Sequence, residues 1–201
     1  MKVAFGGQRV RLLIDGSYCE VWLTRPAARN ALDAPMRDEL RQVLVALVDD
    51  SQVTGVGVFG QGSDFCAGGD LSEFGTRPDV ATAWQTRLVR SLPGLFAAVA
   101  PRLVVGIQGA AVGAGIELAA FARRVIGASD ARFRLPETDF GLIPGSGGTV
   151  SIPLRIGRRR TFELAMSGDW VDAQRAREWG LIDGVVEAQD LIAAVRAEAA
   201  P

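Results

Sequence analysis

Short apolar runs alternate with helix-length amphipathic stretches along most of this chain, and that alternation limits the fold more than any other feature. Residues 53–59, 103–107, 125–126 and 185–186 read as strands. Helical segments separate them, so successive strands return over the sheet and pair in parallel, an α/β arrangement. An antiparallel pair precedes them: residues 10–14 and 18–24, turning at Asp15-Gly16-Ser17. Between the two systems, residues 33–50 read as a helix. Asp33 suits the N-cap, Pro35 the first turn, and Met36, Leu40, Val43, Leu44 and Leu47 recur at helical spacing. A second helix is expected over 79–98, with Trp84, Leu88, Leu92 and Leu95 on one face and Pro93 kinking or dividing it. Later helices are expected at 116–123, 149–154, 158–167, 172–179 and 191–199.

The 201 residues contain no histidine. Ser-His-Asp and Cys-His catalysis and His-based metal sites are thereby excluded, and carboxylates become the plausible proton carriers near neutral pH. Charged residues make up 22% and the formal charge is −1, which gives no electrostatic case for nucleic acid or membrane binding. Lys2 is the only lysine, and the run Arg158-Arg159-Arg160 reads as a solvated helix start before a phosphate site. Cys19 and Cys66 are too few for a disulfide framework and suggest a reducing compartment. With no apolar run of about 18 residues and no signal-like leader, a cytoplasmic location is expected.

Three segments place small residues beside a carboxylate: 65–71 (Phe-Cys-Ala-Gly-Gly-Asp-Leu), 109–118 (Gly-Ala-Ala-Val-Gly-Ala-Gly-Ile-Glu-Leu) and 135–149, which carries Pro136-Glu137 and Gly145-Ser-Gly-Gly-Thr149. Glycine lets backbone N–H groups approach a ligand that a side chain would exclude. Two such loops facing each other can aim two N–H groups at one oxygen, the layout of an oxyanion hole, in which one donor is worth about 2.7–4 kcal/mol. Glu117 sits among Ile116, Leu118, Ala119 and Ala120, and an apolar setting raises a carboxyl pKa toward the range useful for proton transfer. Each feature has a plainer reading. A first-turn glutamate often serves only the helix dipole, Gly113-Ala-Gly115 alone is more often a tight turn, and Cys66 is more often a small buried hydrophobe than a nucleophile. The glycines are neither a P-loop nor a dinucleotide fingerprint.

In combination and order, these segments resemble the enoyl-CoA hydratase/isomerase (crotonase) family. The resemblance runs from about residue 21 to 186. It includes Arg25-Pro26, Arg29-Asn30-Ala31-Leu32, the Cys-Ala-Gly-Gly-Asp loop, residues 109–118, 136–149, and Gly168…Ala173…Ala176…Gly180-Leu181-Ile182; Glu117 and Glu137 are 20 positions apart, as in the hydratases. It implies a crotonase-like spiral of ββα units over residues 1–187, then a shortened C-terminal helical region at 188–201, because family members continue through several more helices. It further implies a homo-oligomer, a trimer or hexamer. By position, the backbone N–H groups of Gly69 and Ala114 correspond to the family's oxyanion donors, and Glu117 and Glu137 to its acid/base pair. Arg29, Ala31, Ala67, Gly68, Asp70, Leu71, Gly113 and Gly145 correspond to its CoA- and substrate-binding positions. Arg102 departs from the proline usual before the strand that enters the second glycine loop.

The activity so implied is addition of water to a 2-enoyl thioester, or its reversal, with CoA as the carrier on the substrate, no cofactor and no metal; an acyl-carrier-protein thioester is the variant. Double-bond isomerisation is the second reading, since isomerases commonly need only the Glu137 equivalent. A non-catalytic accessory homologue acting by protein binding is the competing class. The segment 73–92 is expected to shape the substrate pocket.

Overall fold

The chain opens with three strands in series, seen with the rest of the fold in a computed structural model that describes residues 1–76, 79–89 and 91–200. Residues 77, 78 and 90, within the segment expected to shape the pocket, lie outside the described residues, as does residue 201. Strand β1 (Lys2–Gly6) pairs antiparallel with β2 (Val10–Asp15), and β2 with β3 (Tyr18–Leu23). Asp15 faces Tyr18 across a tight turn in which Gly16 takes φ +60°. Four of the five β1 residues are exposed, so no alternation marks this strand in the sequence.

Helix α1 (Ala34–Asp49) begins as its sequence dictates. The Asp33 carboxylate accepts the Met36 N–H at 2.9 Å, Pro35 occupies the first turn, and Met36, Leu40, Val43, Leu44 and Leu47 are buried. Such a cap contributes about 1 kcal/mol. The other end is closed from afar: Arg102 donates to the carbonyls of Leu47 and Asp50, groups that a helix terminus leaves open, and to that of Val53 in the loop before the next strand.

The wholly buried strand β4 (Gly55–Gly60) pairs in parallel with β3. Helices α2 (Val80–Val89) and α3 (Pro93–Val99) follow, separated at Pro93, whose missing N–H makes it a helix start and not an interior residue. The face expected for α2 is corrected here: Trp84 and Leu88 are 62% and 59% exposed, and only Leu92 and Leu95 turn inward. Next come β5 (Leu103–Ile107), β6 (Ala110–Val112), α4 (Ala114–Ala119), β7 (Arg124–Ala128) and β8 (Arg132–Arg134). Helix α5 (Gly148–Ser167) is broken at Gly157 (φ +75°, ψ 162°), between the two helices expected over this span. Strand β9 (Val171–Asp172), α6 (Ala173–Trp179), β10 (Gly184–Val186) and α7 (Leu191–Ala199) complete the chain.

Among the described residues the strands form two sheets, one in the order β1-β2-β3-β4-β5-β7-β10 and a smaller one in the order β6-β8-β9. The β3, β4, β5, β7 and β10 neighbours pair in parallel. Each turn of the chain gives one strand to the large sheet, a shorter extended piece to the small one, and then a helix. Thus β5 leads to β6 and α4, and β7 to β8 and α5. Earlier, β4 leads to Cys66, which bridges Ala111 of β6, before α2. The chain therefore winds as a spiral of ββα units. One face of the large sheet packs on the main core; α7 covers the other, setting Leu191 and Val195 on Phe59, Val104 and Ile126.

Candidate active site

Two loops from successive turns of the spiral lie against each other. Cys66 donates its N–H to Ala110 and accepts that of Val112, which draws the 66–70 loop alongside β6 and the start of α4. Gly68 (φ +90°) fits there because a Cβ would meet the Val112 carbonyl oxygen at 2.8 Å, with the Ala114 nitrogen 3.8 Å away. On its other side the loop pairs with Leu32, whose N–H donates to the Gly68 carbonyl at 2.8 Å and whose carbonyl accepts the Asp70 N–H at 3.3 Å. The intervening Gly69 N–H therefore points away from Leu32, as alternate residues of an extended segment do. Neither it nor the Ala114 N–H, in the first turn of α4, has a protein acceptor among the described residues.

Glu117 lies one turn into α4 and is 1% exposed. Its Oε2 accepts the backbone N–H groups of Ser146 (2.7 Å) and Gly148 (2.8 Å), and its own carbonyl accepts the Ser151 hydroxyl at 2.7 Å. The start of α5 thus grips this residue at both ends. Glu137 opens the 3-10 turn Glu137–Phe140, directly after Pro136, and its Oε2 is buried with no hydrogen-bond donor among the described residues. A Cβ at Gly113 would overlap Glu137 Oε1, and Gly113 also takes φ +49°, so glycine is required there twice over.

The two carboxyls are neighbours. Burial, above all, raises the Glu117 pKa from the usual carboxyl range to about 7; Glu137 adds to the rise, while the Ser146 and Gly148 N–H groups oppose it. Burial raises Glu137 as well, and its hydrogen bond with Glu117 holds it down. The two therefore titrate as one coupled pair. The arrangement is a proton-sharing pair with one unsatisfied buried oxygen, beside two free N–H donors.

The remaining expected positions have different environments. Ala67 donates its N–H to the Arg29 carbonyl, and the Ala31 carbonyl accepts Arg25. The Arg29 side chain is 66% exposed, 3.9 Å from Asp64, on a backbone with φ +48°. Leu71 is exposed, and Gly145 is exposed immediately before Ser146. Asp70 is different: both carboxylate oxygens are engaged, one by Ser72 and the other by Arg25 at 2.6 Å. Asp139 pairs with Arg134 at 2.9 Å. Cys66 is buried with its thiol pushed up to about 12, which suits a packing residue. Sequence reasoning missed the Ser146, Gly148 and Ser151 contacts to Glu117; the only local signal was the glycine-rich run itself.

A family model described as enoyl-CoA hydratase/isomerase matches residues 14–200. The chain belongs to the enoyl-CoA hydratase/isomerase family. Among curated members, the 2,3-dehydroadipyl-CoA hydratase of Escherichia coli is 36% identical over 166 residues, covering 81% of this chain. The chain spans 63% of that relative's length. Among solved members, an enoyl-CoA hydratase/isomerase of Mycobacterium abscessus superposes with a TM-score of 0.89 at 34% identity, covering 94% of this chain and 75% of that one. An enoyl-CoA hydratase of Thermobifida fusca, solved in complex with acetoacetyl-CoA, gives 0.86 at 28% identity, covering 94% and 78%. The spiral is therefore the crotonase fold. No helix among the described residues is long and apolar enough to cross a membrane.

Proposed function

We propose that the chain adds water across the double bond of a 2-enoyl thioester of CoA, or removes it from the 3-hydroxyacyl product. The observation that carries this reading is the buried Glu117–Glu137 pair beside the two acceptor-free N–H groups of Gly69 and Ala114. In the hydration direction the thioester oxygen takes up enolate charge and is held by those two donors. A water molecule between the carboxyls loses a proton to the pair as its oxygen bonds C3, and the pair returns a proton to C2. Atoms balance as one water added, with no change in oxidation level, so the step as written calls on no redox cofactor. The unsatisfied Oε2 of Glu137 is the natural acceptor for the water or the substrate proton. CoA enters as the substrate's carrier, against the 29–31 and 67–71 segments, with an acyl-carrier thioester as the variant.

The test is loss of the crotonyl-CoA enoyl absorbance. Glu117→Gln and Glu137→Gln are each expected to lower turnover by about 10²–10⁴-fold, the usual worth of a positioned acid/base. No turnover on short or long enoyl-CoAs, together with no CoA binding, would overturn the reading; migration of the double bond without water uptake would replace it by isomerisation. We further propose self-association of a cytoplasmic protein. Val150 and Leu154 before the Gly157 break in α5, and Phe162 and Met166 after it, are exposed apolar side chains that a second copy could cover. Sedimentation at micromolar concentration reads this directly.

A further inference from the structure

Gly69 is held unevenly. On its N-terminal side the Gly68 carbonyl makes a 2.8 Å bond with Leu32, but on its C-terminal side the matching Asp70–Leu32 bond is 3.3 Å. The stronger tie on that side is ionic. Asp70 Oδ2 lies 2.6 Å from Nη1 of Arg25, and Oδ1 accepts both the N–H and the hydroxyl of Ser72. Arg25 is itself anchored on three further groups. Its Nη1 donates to the Ala31 carbonyl at 3.0 Å, its Nε lies 3.4 Å from the α1 cap Asp33, and its backbone N–H donates to Asn30 Oδ1. Asp33 is shared with Arg9 at 3.0 Å. The Arg25, Asp70 and Asp33 side chains are 21%, 13% and 10% exposed.

We propose that Arg25 is a positioning residue: through its ion pair with Asp70 it sets the direction of the Gly69 N–H. This rests on the reading of Gly69 as an oxyanion donor. The guanidinium is committed inside the fold and so is not an anchor for the substrate's phosphates; Arg29, exposed on the neighbouring turn, is free of such commitments apart from the 3.9 Å approach to Asp64. An oxyanion donor acts through its angle and distance to the developing charge, so a loop freed on one side loses transition-state contact before it loses ligand binding.

The test compares Arg25→Gln, Arg25→Lys, Asp70→Asn and the Arg25→Gln/Asp70→Asn double variant, with crotonyl-CoA as substrate. Acetoacetyl-CoA serves as a probe whose thioester oxygen carries enolate charge, and CoA as a probe that lacks that oxygen. Arg25→Gln is expected to lower kcat about 10-fold or more with KM within about twofold, part of the loss that follows removal of a whole donor. It should weaken acetoacetyl-CoA by a similar factor and leave the CoA affinity unchanged. Arg25→Lys should recover part of the loss, and the double variant should be no worse than either single one. Unchanged kcat in Arg25→Gln, or equal weakening of both probes, overturns the proposal. Should Arg25→Gln fail to fold by circular dichroism, Arg25→Lys, which keeps the charge and loses the planar fork, carries the same comparison. A wild-type chain that turns over no enoyl-CoA would defeat the functional reading alone; the ratio of the two probe affinities would still judge Arg25.

Discussion

Two buried carboxyls side by side resist being charged together, and that resistance is legible in stability as well as in chemistry. Glu117 has an ordinary value of 4.5 when unfolded and about 7 when folded. The folded state therefore binds this proton more tightly, and the stabilisation it provides is complete below pH 4.5 and lost as pH rises through about 7. The chain has no histidine, and Glu137, coupled to Glu117, is raised in the same direction. Denaturant unfolding is expected to show stability falling on the order of 3 kcal/mol from pH 5 to pH 8. Glu117→Gln should remove most of that slope. A slope unaltered in the variant would place the titration elsewhere.

At the scale of elements, the site depends on how α4 and α5 meet. Ser151 is 1% exposed and its hydroxyl is bonded to the Glu117 carbonyl, while Arg155, one turn later on α5, donates to the carbonyls of Ala120 and Ala122 at the far end of α4. Ser151→Ala leaves the Glu117 carbonyl without this donor inside the core, which should cost about 1–3 kcal/mol, measured as a lower denaturation midpoint at unchanged m-value. How far these elements could be read in advance depended on the range of the forces that make them. Helix α1 was plain because its cap, its proline and its apolar spacing are all local. So were the carboxyls of the site, marked by the small residues around them. Strands β6 and β8 were not, being three residues long and formed of residues that also read as loop or strand end. The grip of Ser146 and Gly148 on Glu117 spans about thirty residues, and no short-range pattern encodes it. The apolar spacing on α2 misled for the opposite reason: periodicity says that side chains share a face, not that anything packs against it.

Over the whole molecule, α7 matters more than its position at the chain's end suggests. Besides its apolar contacts, it sends Arg196 to Glu20, a carboxylate 1% exposed on β3 that also accepts the Trp22 indole N–H at 3.0 Å. Ending the chain at Glu187 would uncover Phe59, Val104 and Ile126 and leave the Glu20 charge without its cation, a combination costing several kcal/mol. The shortened chain is expected to aggregate or to unfold at markedly lower denaturant than the full one; equal midpoints would show that α7 is an appendage.

The Arg102 side chain carries this long-range dependence into the order of assembly. It closes the last turn of α1 from about fifty residues downstream, at the entry to β5. The helix can therefore start from its own Asp33 cap but cannot be completed until the next turn of the spiral has wound past it. Amide exchange at residues 50–54 and in the last turn of α1 should track the docking of β5, not the formation of the helix. In Arg102→Ala those amides should exchange early while the first turn of α1 stays protected, so that one helix reports two moments in the history of the fold.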